Sequence, residues 1–102
     1  MKIAVLGYGT VGRGVVKIID EQVADVEVSR ILELPDRISE SRMTSSYADI
    51  VNDPQVEVVV ECMGGLEPAH TYILAALNAG KHVVTSNKAV VAAHFAEFAA
   101  CA

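Results

Sequence analysis

The amino-acid sequence predicts an α/β fold built on a doubly wound parallel sheet. Short apolar runs alternate with helical patterns along the 102 residues, which is typical of strand–helix–strand units. A glycine-rich turn, residues 7–12, joins the first apolar run to the first helical pattern. Because crossovers between parallel strands are right-handed, we expect the four predicted strands in the order 2-1-3-4.

The first half of the chain predicts two strands and two helices. Residues 2–6 form an apolar strand, and residues 11–24 form a helix because apolar side chains recur there at helical spacing. Residues 26–32 form the second strand and residues 35–46 are polar and irregular. A short helix, 47–52, is expected to begin at Ser45 or Ser46 and to end before Pro54. The expected inner face of the first helix carries Val11, Val15, Ile18, Ile19 and Val23, with Gly14 close to the sheet.

The second half predicts two further strand–helix pairs. Residues 56–62 are almost continuously apolar, as in a strand that is buried on both faces. A helix over 68–79 begins at a proline and ends before Gly80, which is the usual placement of these residues. Residues 81–85 form the fourth strand. An alanine-rich helix over 88–100 follows, with Ser86 or Asn87 as its cap.

The glycine-rich turn predicts an anion site at the start of the first helix. Free N–H groups and the positive end of the helix dipole meet there, so a phosphate is attracted. Gly7 permits the tight turn, Gly9 lets a pyrophosphate approach the backbone, and Gly12 lets the helix pack closely on the strand. Thr10 and Val11 are expected to offer backbone N–H groups to the same anion. The pattern is the Rossmann-like fingerprint of dinucleotide binding.

An acidic residue at the end of the second strand extends this fingerprint. Glu33 lies about 20 residues beyond Gly12, where a carboxylate accepts hydrogen bonds from the adenosine ribose hydroxyls. Its charge would repel a 2′-phosphate and favour NAD over NADP. Arg30 or Arg37 could reverse that preference by covering the ribose. The alternative is that Glu33 is a solvated loop acid.

Two further loops are expected at the carboxyl edge of the sheet, between strands one and three. Met63, Gly64 and Gly65 follow the third strand, and the two glycines would let a nicotinamide ribose lie against backbone. Lys88 begins the last helix, where a cation opposes the helix dipole by ~0.3–1 kcal/mol. That placement fits either contact with substrate or cofactor, or a solvated lysine.

The remaining cysteine, glutamate and histidine side chains indicate neither a further catalytic residue nor a metal site. Cys62 is expected to be a small buried residue and Glu61 a hydrogen-bonded structural acid. The three histidines at 70, 82 and 94 are scattered, without ligand spacing on a shared face.

Composition excludes several classes of function. The net charge of −5 and the absence of a basic stripe exclude nucleic acid as a partner. No apolar run reaches the roughly 20 residues of a membrane span, and the two cysteines form no disulfide framework, so a cytoplasmic location is expected. Apolar residues make up 52% of the chain without glycine, against about 45–50% with glycine in ordinary domains. The surplus predicts part of a larger protein.

These motifs resemble homoserine dehydrogenase along nearly the whole chain. The resemblance rests on the glycine turn continued to Val16, on residues 31–34 and on residues 58–65. Its most specific block is residues 75–89. There Thr85-Ser86-Asn87-Lys88 departs from the Glu-Lys-Pro usual in a broader sugar-type dehydrogenase family.

The resemblance implies an NAD(P)-binding domain over residues 1–102, with NAD or NADP as cofactor. The implied reaction interconverts L-homoserine and L-aspartate 4-semialdehyde, in threonine and methionine biosynthesis. Lys88 is assigned to cofactor binding and to catalysis, Thr10 and Val11 to the pyrophosphate, and the region of Gly64 to the nicotinamide.

Family members continue with a substrate-binding and dimerisation domain, which supplies an acidic residue and a second lysine for proton transfer. We therefore expect a truncated N-terminal fragment that binds cofactor but has no dehydrogenase activity. The small-molecule substrate and homo-oligomer formation belong to the full-length protein.

Two other interpretations fit the glycine turn. One is a non-enzymatic NAD(H)-sensing domain of a potassium-transport system, which uses the same turn and a similar acid. Residues 64–65 and 85–88 speak against it, because a sensor has no substrate to orient. The other is a designed or reconstructed small fold that binds nothing.

Overall fold

The computed structural model describes residues 1–102 and contains one five-stranded parallel sheet with helices on both faces. The elements are β1 (Lys2–Leu6), α1 (Thr10–Gln22), β2 (Glu27–Leu32), β3 (Met43–Thr44), α2 (Ala48–Val51), β4 (Val56–Glu61), α3 (Ala69–Asn78), β5 (His82–Thr85) and α4 (Lys88–Cys101). The doubly wound α/β class is confirmed, and the predicted boundaries differ from these by at most two residues at each end.

The strand order is β3-β2-β1-β4-β5, with every neighbouring pair parallel. The predicted order of four strands is confirmed, because those strands are β2, β1, β4 and β5. The prediction missed β3, which pairs Met43 and Thr44 with the end of β2 inside the segment expected to be irregular. A strand of two residues is too short to show an alternating apolar pattern in the sequence, although its Met43 is buried in the structure. A single 3-10 turn, Pro35–Arg37, lies in the same segment.

The two faces of β1 supply two separate parts of the core. Ile3 and Val5 pack with Val16 of α1 on one face. Ala4 and Leu6 pack on the other face with residues of α2 and α3, among them Ile50 and Ala76. β1 is the central strand of the sheet and is covered on both faces. The loops that follow β1 and β4 lie next to each other at its carboxyl end.

The face of α1 that contacts the sheet agrees only in part with the predicted one: Val15 and Ile19 pack on the core as expected. Its fully buried residues are Gly12 and Val16, whereas Val11, Ile18 and Val23 are exposed. The apolar residues of α1 lie on one side of the helix, and its buried centre is rotated within that side towards Gly12 and Val16. The expected contact of Gly14 with the sheet is also wrong, since a Cβ there would meet no atom within 4 Å.

The helix termini follow the predictions at α3 and α4 but not at α2. Gly80, just beyond α3, has a φ of +80°, and the Asn87 side chain caps α4 by accepting the Val90 N–H at 3.1 Å. The N-cap of α2 is Tyr47 without a side-chain cap, so neither Ser45 nor Ser46 plays the predicted part. There the Tyr47 hydroxyl donates instead to the Tyr72 carbonyl at 2.8 Å.

The last strand, β5, is an edge strand of the sheet, and Val84 on it is exposed. No helix of the chain combines the length and the apolar character that crossing a membrane requires.

Candidate functional site

The glycine turn between β1 and α1 is held in the geometry that its sequence predicts. Gly7 has a φ of +94°, a conformation that residues with a Cβ rarely adopt, and its N–H donates to the Leu32 carbonyl at 3.0 Å. A Cβ on Gly12 would lie 1.8 Å from the Gly7 carbonyl oxygen. The turn therefore requires glycine at both positions, one for its backbone conformation and one for close helix packing.

Four consecutive backbone N–H groups at the start of α1 have no acceptor within the protein. They belong to Gly9, Thr10, Val11 and Gly12; the first helical bond here runs from the Arg13 N–H to the Gly9 carbonyl at 2.9 Å. Gly9, Thr10 and Val11 are exposed. Unpaired N–H groups at a helix N-terminus are suited to an anion, since the helix dipole adds positive potential there.

A pocket of about 390 Å³ lies beside this turn, at the carboxyl end of the sheet. Four of the predicted cofactor-binding residues line it: Gly7, Gly9, Glu33 and Met63. The pocket also has contributions that the sequence analysis did not predict, notably Tyr8, Pro68 and Tyr72. Tyr8 lies inside the glycine motif, so its position was a usable signal; the two residues of the α3 region were brought here only by the tertiary fold.

Glu33 lies between the turn and the pocket. Its carboxylate accepts the Tyr8 N–H at 3.2 Å through Oε2 and the Leu34 N–H at 2.8 Å through Oε1. Each oxygen keeps a free acceptor position. The carboxylate is thus fixed at the end of β2, with capacity left for hydroxyl donors in the pocket.

A second pocket, of about 530 Å³, adjoins the first and shares Tyr8, Gly9 and Arg37 with it. It contains the cationic side chains of Arg13, Lys17 and Arg37, together with the predicted Thr10. The Arg13 guanidinium also lies over the Tyr8 ring, 5.0 Å from the ring centroid. None of these three cations forms an ion pair within the chain, so their charge is available to an anionic ligand.

Glu61 organises the loop after β4. Its side chain is fully buried, and Oε2 accepts the Met63 N–H at 2.7 Å and the Gly64 N–H at 3.3 Å. Gly64 and Gly65 have φ values of +77° and +72°. The expectation of a hydrogen-bonded structural acid is confirmed, and the loop that it holds is the predicted one.

The same carboxylate connects that loop to the start of α4. Its Oε1 accepts the Thr85 hydroxyl, and Thr85 Oγ1 in turn accepts the Asn87 N–H at 2.9 Å. The Asn87 amide donates to the Gly65 carbonyl. These bonds form a closed circuit, the Glu61–Thr85–Asn87–Gly65 circuit, which fixes the residue before Lys88 against the loop after β4.

The three loops predicted to converge therefore do so. A Cβ on Gly7 would be 3.1 Å from Met63 Cγ, and the circuit joins the loop of Met63 to the third loop. Lys88 is exposed at the first position of α4 and forms no ion pair. The lining of the two pockets does not include five of the predicted site residues, namely Val11, Gly12, Gly64, Gly65 and Lys88.

Cys62 is half-buried and not fully buried as expected, and it lines the first pocket. Burial, with a smaller contribution from the neighbouring Glu61 charge, raises the pKa of its thiol. A protonated thiol is a poor nucleophile, so the prediction that Cys62 takes no part in covalent chemistry is consistent with its surroundings.

The expectation of scattered histidines is wrong for two of the three. The rings of His70 and His94 stack 3.7 Å apart with an angle of 6° between their planes. They come from α3 and α4, so their proximity depends on the packing of two helices and has no signature in sequence spacing.

A parallel sheet in this order, with unpaired helix N–H groups at the point where its winding reverses, defines a dinucleotide-binding domain of the Rossmann class. The family model of the homoserine dehydrogenase NAD-binding domain matches residues 7–102. The chain belongs to this family.

Curated relatives agree with the family model. The chain is 36% identical to homoserine dehydrogenase of Bacillus subtilis over 98% of its length, and 40% identical to that of Synechocystis sp. over 90%. It spans 26% and 24% of those two proteins, about a quarter of each.

Solved structures give the same result. A crystal structure of S. aureus homoserine dehydrogenase superposes with a TM-score of 0.87 at 35% identity, covering 99% of this chain and 29% of that one. The enzyme of Thiobacillus denitrificans gives 0.87 at 32% identity, covering 99% and 26%. These comparisons favour the dehydrogenase interpretation over a sensor domain of potassium transport.

Proposed function

We propose that the chain binds NAD or NADP and is the cofactor-binding part of a homoserine dehydrogenase. The observation that carries the proposal is the row of four unpaired N–H groups from Gly9 to Gly12 at the start of α1. They lie next to a pocket at the switch point of the sheet, where open α/β sheets bind their ligands.

The pyrophosphate would be held by the backbone of the turn. Gly9, Thr10, Val11 and Gly12 supply N–H donors, and the Thr10 hydroxyl can donate to a phosphate oxygen. The cations of the second pocket, Arg13, Lys17 and Arg37, add favourable charge beside the turn. The fit to a diphosphate rests on donors that are already unpaired in the protein.

The adenosine ribose would be recognised by Glu33. Its two backbone hydrogen bonds orient the carboxylate, and its remaining acceptor positions suit the 2′- and 3′-hydroxyls. Arg37 lines the same pocket and could pair with a 2′-phosphate instead. The balance between these two side chains determines the choice between NAD and NADP.

The nicotinamide end would lie against the loop after β4. Met63 lines the pocket. Gly64 and Gly65, both with positive φ, follow it and leave the backbone of the loop uncovered by side chains. When bound, the cofactor accepts or donates a hydride. We assign to Lys88 contact with the nicotinamide side and with substrate, since the Glu61–Thr85–Asn87–Gly65 circuit fixes the start of its helix beside this loop.

The reaction of the whole protein would be the NAD(P)-dependent interconversion of L-homoserine and L-aspartate 4-semialdehyde. Residues 1–102 would form the dinucleotide-binding domain, and the substrate domain and homo-oligomer contacts would lie in the other three quarters of the relatives' length. The chain alone would not catalyse the reaction, because hydride transfer requires a substrate held about 3–3.5 Å from the nicotinamide. Two free cysteines suit a reducing, cytoplasmic location.

The decisive test compares two alanine variants. A Cβ on Gly9 meets no protein atom, and its φ of −79° suits alanine, so Gly9→Ala should keep its fold while obstructing a bound pyrophosphate. We expect NADH affinity, measured by fluorescence titration, to fall roughly tenfold or more, equivalent to about 1.4 kcal/mol.

The matched control is Gln22→Ala on the same helix, where the exposed side chain lines neither pocket. This variant should bind NADH as the parent chain does and keep its thermal midpoint, since glutamine and alanine differ little in helix propensity. Equal NADH affinity in the parent chain and Gly9→Ala would refute binding at the turn.

A further inference from the structure

Three possible metal ligands converge between α3 and α4, apart from the cofactor pocket. They are the side chains of His70, His94 and Glu97, and one ligand atom from each lies within 4.8 Å of the other two. His94 lies at a kink in α4, with a φ of −128°, and its ring approaches the Glu97 carboxylate three residues further on. We refer to them as the His70–His94–Glu97 cluster.

Both histidines of the cluster approach the same oxygen. Oε1 of Glu97 is in hydrogen-bond contact with Nε2 of His70 and lies 3.6 Å from Nδ1 of His94. Nitrogen and oxygen ligands of zinc lie about 2.0–2.2 Å from the metal, so neighbouring ligands are about 3.3 Å apart around a tetrahedral ion. The separations in the cluster run from hydrogen-bond contact to at most 4.8 Å, so an ion would require its side chains to shift. The stacked rings must tilt so that both lone pairs point at one ion.

The other side of the His70 ring has the partner that metal-bound histidines usually have. Its Nδ1 lies 3.3 Å from Oε2 of Glu67. Glu67 is itself fixed, because its Oε1 accepts the Thr71 N–H at 3.1 Å and the Thr71 hydroxyl at 2.8 Å. When an ion replaces the proton that Nε2 shares with Glu97, an Nδ1–H donated to Glu67 keeps the ring directed at the cluster. This arrangement is independent of the convergence of the three ligands.

We propose that the His70–His94–Glu97 cluster binds a divalent transition-metal ion of the zinc class. Two imidazoles and one carboxylate suit zinc, cobalt or nickel better than magnesium or calcium, which prefer oxygen ligands alone. Water would complete the coordination. The side chains of His70 and His94 are 19% and 30% exposed, so an ion can reach them from solvent.

The ion would connect two helices that already pack through a small apolar cluster. Ala69 and Ile73 of α3 contact Val90 of α4 there. A ligand from α3 and two from α4 would add a link between these helices. Because an ion that binds only the folded chain stabilises it, the thermal midpoint should rise with zinc concentration.

The test is calorimetric titration of ZnCl₂ into the metal-free chain in which Cys62→Ser and Cys101→Ser remove the competing thiolates. We expect one ion per chain, no binding of MgCl₂, and an affinity at least tenfold lower after His94→Ala. His82→Ala is the matched control, since His82 lies on β5 outside the cluster, and it should bind zinc as the parent does.

Two variants keep the test valid if His94→Ala unfolds. Glu97→Gln changes an exposed ligand, and Glu67→Gln removes the carboxylate behind His70, which we expect to cost about 10–100-fold in affinity. Absence of zinc binding, or equal affinity in the parent and in the folded cluster variants, overturns the proposal. NADH binding is measured in parallel, so failure of this site is distinguishable from failure of the cofactor site.

Discussion

Glu33 and Arg37 bring opposite charges to the same pocket. The carboxylate is fixed by two backbone N–H groups, whereas the guanidinium has no ion-pair partner. The position of Glu33 was predicted from its distance to the glycine turn. Its bond to Tyr8 was not, because that bond depends on how the end of β2 meets the turn.

Replacement of Glu33 with alanine should shift cofactor preference towards NADPH. NADH would lose hydrogen bonds to a charged group, worth about 1.5–3 kcal/mol, and NADPH would lose a repulsive charge. We expect the ratio of the two dissociation constants, from parallel fluorescence titrations, to change by about tenfold or more. An unchanged ratio would remove Glu33 from ribose recognition.

The Cys62 thiol provides a pH-dependent probe of the same pocket. Because burial raises its pKa, the thiolate fraction near pH 7 is smaller than in a free thiol, and alkylation is correspondingly slower. We expect the rate of carbamidomethylation to increase with pH up to values above the usual thiol pKa, and saturating NADH to slow it further. Mass spectrometry of the peptides separates Cys62 from Cys101. Alkylation of Cys62 at the free-thiol rate would contradict the pKa shift.

At the scale of elements, a buried capping residue and an exposed lysine stand next to each other at the start of α4. Asn87 is 7% exposed and uses both ends of its amide, one to cap α4 and one to bind the loop after β4. Lys88, the next residue, is exposed and makes no ion pair. The sequence predicted Ser86 or Asn87 as the cap, and the structure assigns that part to Asn87, whereas contact of Lys88 with the cofactor stays a prediction.

Alanine at these two positions should therefore have opposite effects. Asn87→Ala removes a cap worth about 1 kcal/mol, which should lower the thermal midpoint by roughly 4–8 °C. Lys88→Ala removes a cation from a helix N-terminus and should leave the midpoint unchanged or slightly higher, while weakening NADH binding. Circular dichroism and NADH titration measure the two effects. A large loss of stability in Lys88→Ala would make it a structural residue.

The strands and the long helices were predictable because their patterns are strong and local. Apolar runs at 2–6 and 56–62 can only be buried strands, and the handedness of crossovers fixes their order. The predicted face of α1 was only partly right, because the close packing of Gly12 against Gly7 turns Gly12 and Val16 to the centre of the buried side. The strand β3 is too short to carry a pattern.

At the scale of the whole molecule, the site combines predicted parts through contacts that were not predictable. The glycine turn, the acid of β2 and the loops after β4 and β5 were each recognised along the chain. Their connection through Glu61, Thr85 and Asn87, and the stacking of His70 on His94, depend on segments far apart in sequence. Sequence patterns report the local backbone, whereas these side-chain contacts arise only after the layers have packed.

The sheet can accept a further strand at the unpaired edge of β5. On the opposite side β3 offers only two residues to a neighbour, whereas β5 exposes the backbone donors and acceptors of His82–Thr85. An edge of this kind is a template for another strand, whichever polypeptide supplies it. A strand added at this edge would lie beside the exposed Val84 and close to the start of α4. The polypeptide that supplies it would therefore also contribute residues next to Lys88.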